Sequence, residues 1–466
     1  MPESASSYRT RQASNPILRG MEHLLGRARR QAAIAALIAL LATVWVVSLQ
    51  RAMNGKYDFQ HFYLDARYVW LHGELNPVLQ SSDPLEQRQL PFYLPALSVL
   101  ISPLAAGGPI PAALLWAAGH VICLLYSLRV LAGWCGPSAA PQWCDTAPAR
   151  ASSLAALVAA CALALPPIII AAQFNQLSFL VLALLLGGAD ALERGRDRRA
   201  GMLFAAAGVI KLLPLLFVLW LVLKRRWRAL AACLTTATCL ALLPPLLLFG
   251  PQRTLEYHVQ WARYNLSGAP ARGMVDPTLP EHFIDRRNQS IASVLARLLW
   301  PAHPYRVAYQ PLQLSRETCI ALAWGLKAVL LAALIWFTRR PWRELEVTEG
   351  RGEAALFLLA MLVLSPLVRQ YYLIWALPAL FMLLASAISG KTAGQRWIGR
   401  VATGLWIAGL PAMASATARE LGFHLMLLIA LAVLLTAACS RSLRGRSARS
   451  LQATGPDPSG PLCRHG

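Results

Sequence analysis

No Cys-x-x-Cys pair occurs among the nine cysteines, so the chain has neither a zinc spacing nor a disulfide framework. No segment repeats at a fixed period. No small-residue cleavage site follows the first apolar run, which therefore reads as a retained helix and not as a signal peptide. Charge is scarce as well: Asp, Glu, Lys and Arg make up 14% of the chain, against about 25% in a soluble domain. What fills the space is apolar, 56% of the 466 residues. That composition belongs to proteins that cross a membrane several times.

The first apolar stretch, residues 32–49, has 18 residues, about what spans a bilayer at 1.5 Å per residue. The basic residues come in short clusters between such stretches: "RARR" (27–30), "RGRDRR" (194–199), "KRRWR" (224–228), "RRPWR" (339–343) and an Arg-rich tail after 440. This is the positive-inside pattern, and it makes those segments and both termini cytoplasmic. The net charge of +22 thus reports orientation and contact with anionic headgroups, and nucleic acid is set aside. Cys135 and Cys144 could pair in an external loop, but this topology puts them inside.

Spans are expected at 32–49, 110–132, 151–171, 175–192, 229–249, 316–337, 353–366, 371–388, 397–415 and 421–439. Segment 200–223 does not fit a simple crossing, because basic clusters flank both of its ends. Its 24 residues supply roughly 36 Å of helix against a core of about 30 Å, one crossing and never two. A re-entrant hairpin bent at "KLLP" (211–214) resolves the conflict, with Pro214 breaking the helix and Lys211 at the tip. The expected fold is an all-α polytopic bundle of about ten spans plus this hairpin. It divides into a basic tail (1–30), a membrane domain (31–440) with external loops at 51–108 and 250–312 carrying interfacial helices, and a disordered tail (441–466).

That topology turns five polar groups toward one side. They are Asp58 in "YDFQHFYLDAR", Gln173 and Asn175 in "QFNQ", Lys211, Asn288 and Gln289 in "RRNQS", and Arg369, Tyr371 and Tyr372 in "RQYY". Any one of them alone reads as a cap, a snorkelling cation or an interfacial anchor. Together, a carboxylate beside cations and amides suits a general base working next to a bound anion. Lys211 and Arg369 would hold the anion, and the amides would hold hydroxyls.

The ordered set "YDFQHFYLDARYVWLHGELNPV", "FYLPALSVLISPLA", "QFNQLSFLVLALLL", "RRAGMLFAAAGVIKLLPLLFVLWLVLKRRWR", "NQSIASVLARLL" and "SPLVRQYYLIWALPAL" resembles glycosyltransferase family 87. The resemblance runs from residue 57 to about residue 380. It implies a GT-C fold and an inverting transfer from a polyprenyl-phosphate sugar, a hexose such as mannose, to a lipid or glycan acceptor. It further implies a site on the extracytoplasmic face of the inner cell membrane, no metal, no cofactor beyond the lipid-linked donor, and Asp58 as the base. The chain departs from the family pattern at Ala172, at Tyr93-Leu94-Pro95, and at Arg369-Gln370-Tyr371-Tyr372, where some members have His.

Asp65 is the rival carboxylate, seven residues on and so on the same face of a helix; otherwise it pairs with Arg67 or caps that helix. The Asp-x-Asp of nucleotide-sugar transferases is missing. A lipid or small-solute transporter is the other class compatible with broken helices and polar groups in the membrane.

Overall fold

The computed structural model describes residues 16–55, 58–75, 93–134, 147–263, 265, 286–308, 310, 312–390 and 392–453, and among these all regular structure is helical. Cys135, Cys144 and the outermost parts of both tails lie outside the described residues.

Helix α1 (Pro16–Met53) contains the first apolar run, and Gly55 at φ 56° turns the chain into α2 (Asp58–His72). The buried residues of α2 are Phe59, Phe62, Ala66 and Val69, spaced at helical intervals on one face. That face packs with α3 (Pro95–Ile101) on Ala52 at the end of α1 and on Ala112 and Trp116. The latter two belong to α4 (Pro109–Gly133). Thus α2 and α3 form a shelf across one end of the bundle.

Next come α5 (Ala147–Leu163) and α6 (Leu165–Gln173), bent by 54° at a break followed by Pro166 and Pro167, which lack the N–H a continuous helix would use. Helix α7 (Ser178–Glu193) returns, and α8 (Asp197–Ile210) ends at Lys211, whose backbone is extended. After a 3-10 turn at Leu213–Leu215, α9 (Leu216–Leu223) leads to Arg226, which reaches Asp197 at the start of α8 (3.5 Å) and the Leu192 carbonyl (2.6 Å). The two ends of segment 197–226 therefore meet at one pole, so the segment is a hairpin with Lys211 near its tip.

Helix α10 (Trp227–Ala262) is broken at Gly250 (φ 75°, ψ 172°) and continues beyond Pro251, so helix occupies the start of the segment expected to be the 250–312 loop. The remaining elements are α11 (Ile291–Leu299), α12 (Arg316–Thr338), α13 (Val347–Leu364), a 3-10 turn (Gln370–Ala376) with α14 (Leu377–Ser389), α15 (Ala393–Ala414), α16 (Ala416–Glu420) and α17 (Phe423–Ala453). Helix runs further into both tails than expected, from Pro16 and on to Ala453. Extending an existing helix avoids the costly nucleation step, and Leu, Arg and Ala are good helix formers.

Two poles organise these helices. At the first, Arg351 grips Glu193 through two bonds (2.8 and 2.7 Å) and the Trp134 carbonyl (2.7 Å). Lys224 meets Glu353 (2.6 Å) and the carbonyls of Thr338 and Arg340. Arg340 pairs with Glu349 (3.3 Å). All of these contacts join segments that the charge pattern assigns to one side.

Between the poles lies an apolar core around Trp220, Trp375, Trp406, Phe204, Phe217 and Phe357. Because lipid is as apolar as leucine, close backbone approach and polar contacts hold membrane helices together. Gly201 is the tightest such approach: a Cβ there would lie 2.2 Å from the Ala229 carbonyl, so α8 and α10 touch backbone to backbone.

Among the described residues five helices are long and apolar enough to cross a membrane, 31–53, 109–133, 227–262, 316–338 and 370–389, or six with the bent pair α5–α6. That is fewer than the ten expected. Helices α7 and α13 are shorter and largely enclosed by protein, and α13 begins with the charges Glu349, Arg351 and Glu353. Such helices need not be apolar all round. The chain is a multi-pass membrane protein.

Candidate active site

At the second pole, Asp58 is the first residue of α2. Phe59 and Phe62 fix that turn against Trp116, at ring distances of 5.7 and 5.2 Å, and Phe62 meets the edge of Tyr93 at 5.1 Å. Asp58 keeps part of its surface accessible while protein surrounds it, as a carboxylate lining a crevice does. Burial raises its pKa from 3.8 to about 7, against the pull of Lys211 and Arg369, the two charges that lower it. Among the described residues it forms no direct ion pair, so both cations act on it across a gap.

Lys211 is held inward. Its Nζ donates to Gln176 Oε1 (3.2 Å), sits 4.0 Å above the Tyr372 ring and lies 5.8 Å from the Trp375 ring. Hairpin and turn thus meet at this ammonium.

Arg369 comes from the other side, on the extended segment between α13 and the 3-10 turn. Asn288 accepts from the Val368 N–H (3.0 Å) and donates to the Pro366 carbonyl (3.4 Å), while the Gln289 N–H donates to the Val368 carbonyl (2.8 Å). The fully buried Arg297 secures this turn in its place, donating to Asn288 O (2.9 Å), Ser293 Oγ (2.7 Å) and Arg419 O (3.2 Å). Beyond Arg369, Tyr371 packs on Phe174 (5.3 Å) and Tyr372 (4.6 Å), and Tyr372 stacks on Trp375 (5.0 Å).

The structure therefore brings Asp58, Lys211, Arg369, Tyr371 and Tyr372 together. Asn175, Asn288 and Gln289 are fully buried and bonded to backbone. Asn175, at φ 52°, donates to Ser48 O and takes the Trp116 N–H on its carbonyl. Gln173 ends α6 and stays partly accessible. Asp65 lies in mid-helix, so the capping role considered for it is corrected: Asp58 occupies the first turn.

Sequence reasoning missed two residues. Gln176, and not Gln173, meets Lys211. Tyr93 joins the cluster, and burial, Tyr372 and Asp58 all push its hydroxyl well above its ordinary pKa, keeping it a neutral phenol. An aromatic directly before the Leu94-Pro95 helix start was the available signal for Tyr93.

Chemically, a carboxylate that titrates near neutrality can take a proton from a hydroxyl while two cations across a gap hold an anion. The sequence matches the family described as Glycosyltransferase family 87 over residues 92–366. Among solved structures, ArnT from Cupriavidus metallidurans bound to undecaprenyl phosphate is similar at 16% identity, covering 92% of this chain and 82% of that one, with a TM-score of 0.35. No curated protein matches.

Proposed function

The chain belongs to glycosyltransferase family 87, and on that premise we propose that it moves a hexose, mannose being the leading candidate, from a polyprenyl monophosphate to an acceptor hydroxyl on a lipid or glycan. Membership in a glycosyltransferase family sets the transporter reading aside. In this reading the site opens at the extracytoplasmic face of the cell membrane, and both termini are cytoplasmic.

Asp58 takes the proton of the acceptor hydroxyl as its oxygen bonds to the anomeric carbon. The bond from that carbon to the phosphate oxygen breaks on the opposite face, and its electron pair leaves with the lipid phosphate. Configuration therefore inverts. The phosphate gains a negative charge in this step, and Lys211 and Arg369 stabilise that gain more than the ground state. The step so written needs no metal, and Tyr371, Tyr372 and Gln173 are assigned to the sugar and its hydroxyls, while the buried Gln176 positions Lys211. The observation that carries the reading is the gathering of Asp58, Lys211 and Arg369 at one pole, with the carboxyl surrounded by protein and both cations acting on it.

The test is transfer in membranes supplied with a set of radiolabelled polyprenyl-phosphate hexoses, wild type against Asp58→Asn. Label incorporated by the wild type and lost in the variant supports the base. Equal incorporation moves the base to Asp65, to be checked with Asp65→Asn.

A further inference from the structure

At the pole opposite the candidate site, an open groove of about 940 Å³ runs between the start of α8 and the first turns of α10. Its rim is Arg196, Arg198, Arg199 and Arg228, and Asp197 also lines it. The nearby carboxylates are already engaged: Asp197 with Arg226, Asp190 with Arg194, Glu193 with Arg351, Glu349 with Arg340 and Glu353 with Lys224. Among the described residues none of the four rim arginines has a carboxylate partner. The floor is different. Arg228, Ala231, Ala232, Thr235 and Thr236 follow one face of α10, a helix apolar enough to cross a membrane, and Met202 faces them from α8. The exposed Trp227 beside Arg228 marks headgroup depth. Among the described residues the Thr235 and Thr236 hydroxyls have no hydrogen-bond partner.

Positive charge at headgroup depth, an apolar floor leading inward and two free hydroxyls along it match one kind of occupant. We propose that this groove is a binding site for an anionic phospholipid of the leaflet opposite the candidate active site. The phosphodiester lies among Arg196, Arg198, Arg199 and Arg228, the ester carbonyls accept from Thr235 and Thr236, and an acyl chain covers Ala231 and Met202. The volume suits a headgroup with the first part of its chains, since pockets of about 300–1,000 Å³ enclose ligands of that size. Salt screens a diffuse basic surface; an open groove with an apolar floor also favours a ligand that carries a chain.

The test uses the full-length protein, purified in detergent with phosphatidylglycerol or phosphatidylcholine and analysed by native mass spectrometry. Phosphatidylglycerol should stay bound and phosphatidylcholine should not. Retention should fall at least tenfold in Arg196→Gln/Arg198→Gln/Arg199→Gln/Arg228→Gln. It should fall similarly in Ala231→Phe, which fills the floor without changing charge, each variant being checked by its melting curve. Arg225→Gln/Arg343→Gln, two exposed arginines outside the groove, should retain the lipid. Equal retention in the fourfold variant and this control would mean diffuse surface charge and would overturn the proposal. Displacement of the lipid by millimolar inorganic phosphate would equally overturn it, in favour of a free-anion site.

Discussion

Asp58 sits where burial disfavours its charge more than Lys211 and Arg369 favour it, which sets its pKa at about 7. Below that pH it is protonated and cannot accept a proton. Transfer at saturating donor should therefore climb through about pH 7 and level off above it, and Asp58→Asn should lose 10²–10⁴-fold (roughly the worth of a general base) at every pH. The same shift has a stability sign. Between its ordinary 3.8 and about 7 the folded chain holds a proton that the unfolded chain has released, so this group's contribution to stability is lost as pH rises through that window. Asp58→Asn should then melt no lower than wild type at pH 8; a much lower melting point would make Asp58 a structural residue. Lys211→Met should depress single-turnover rate more than donor affinity, and Arg369→Lys should impair both, because Arg grips two oxygens where Lys is a point charge. Wild-type rates in both variants would remove these residues from the phosphate. The charges were readable in the sequence because ionisable groups in apolar surroundings need a reason. Gln176 and Tyr93 were not, since which residue of a turn faces an ammonium depends on backbone geometry such as Asn175 at φ 52°.

At the scale of the element, the hairpin was legible because its signal is local: two basic clusters too close together for two crossings. The bend between α5 and α6 and the run of α10 past Gly250 were not, since prolines and glycines mark a break without giving its angle or the path of the chain beyond it. Nor did sequence expose the contact of α8 with α10. Gly201→Ala would put a methyl group into backbone that has no room to move, 2.2 Å from Ala229 O and 2.8 Å from Cys233 N. It should cost about 1–3 kcal/mol or more, the usual scale of overpacking, read as a lower melting temperature in detergent. Gly119→Ala is the control, for nothing lies within 4 Å of a Cβ there. Equal melting of the two variants would mean that the helices separate at little cost.

For the whole molecule, the ionic contacts of the first pole gather segments 193–197, 224–226 and 338–353 at one end. The positive-inside rule predicts a cytoplasmic position for that end. A cysteine at position 198, on a cysteine-free background, should resist an impermeant thiol reagent in intact cells and react in inverted vesicles. Labelling in intact cells would reverse the orientation and carry the candidate site to the other face.

The hairpin is pinned at its root by Asp197 and Arg226 and carries Lys211 at its far end. Mechanically it is a lever: the 14 residues of α8 make an arm of about 21 Å, and a tilt of about 5° at the root swings the tip by roughly 2 Å. Asp197 also lines the arginine groove, so an occupant of that groove would touch the ion pair at the root of the arm. Asp197→Asn should therefore alter donor affinity through an arm of about 21 Å, and unchanged affinity would mean that α10 clamps the arm along its length.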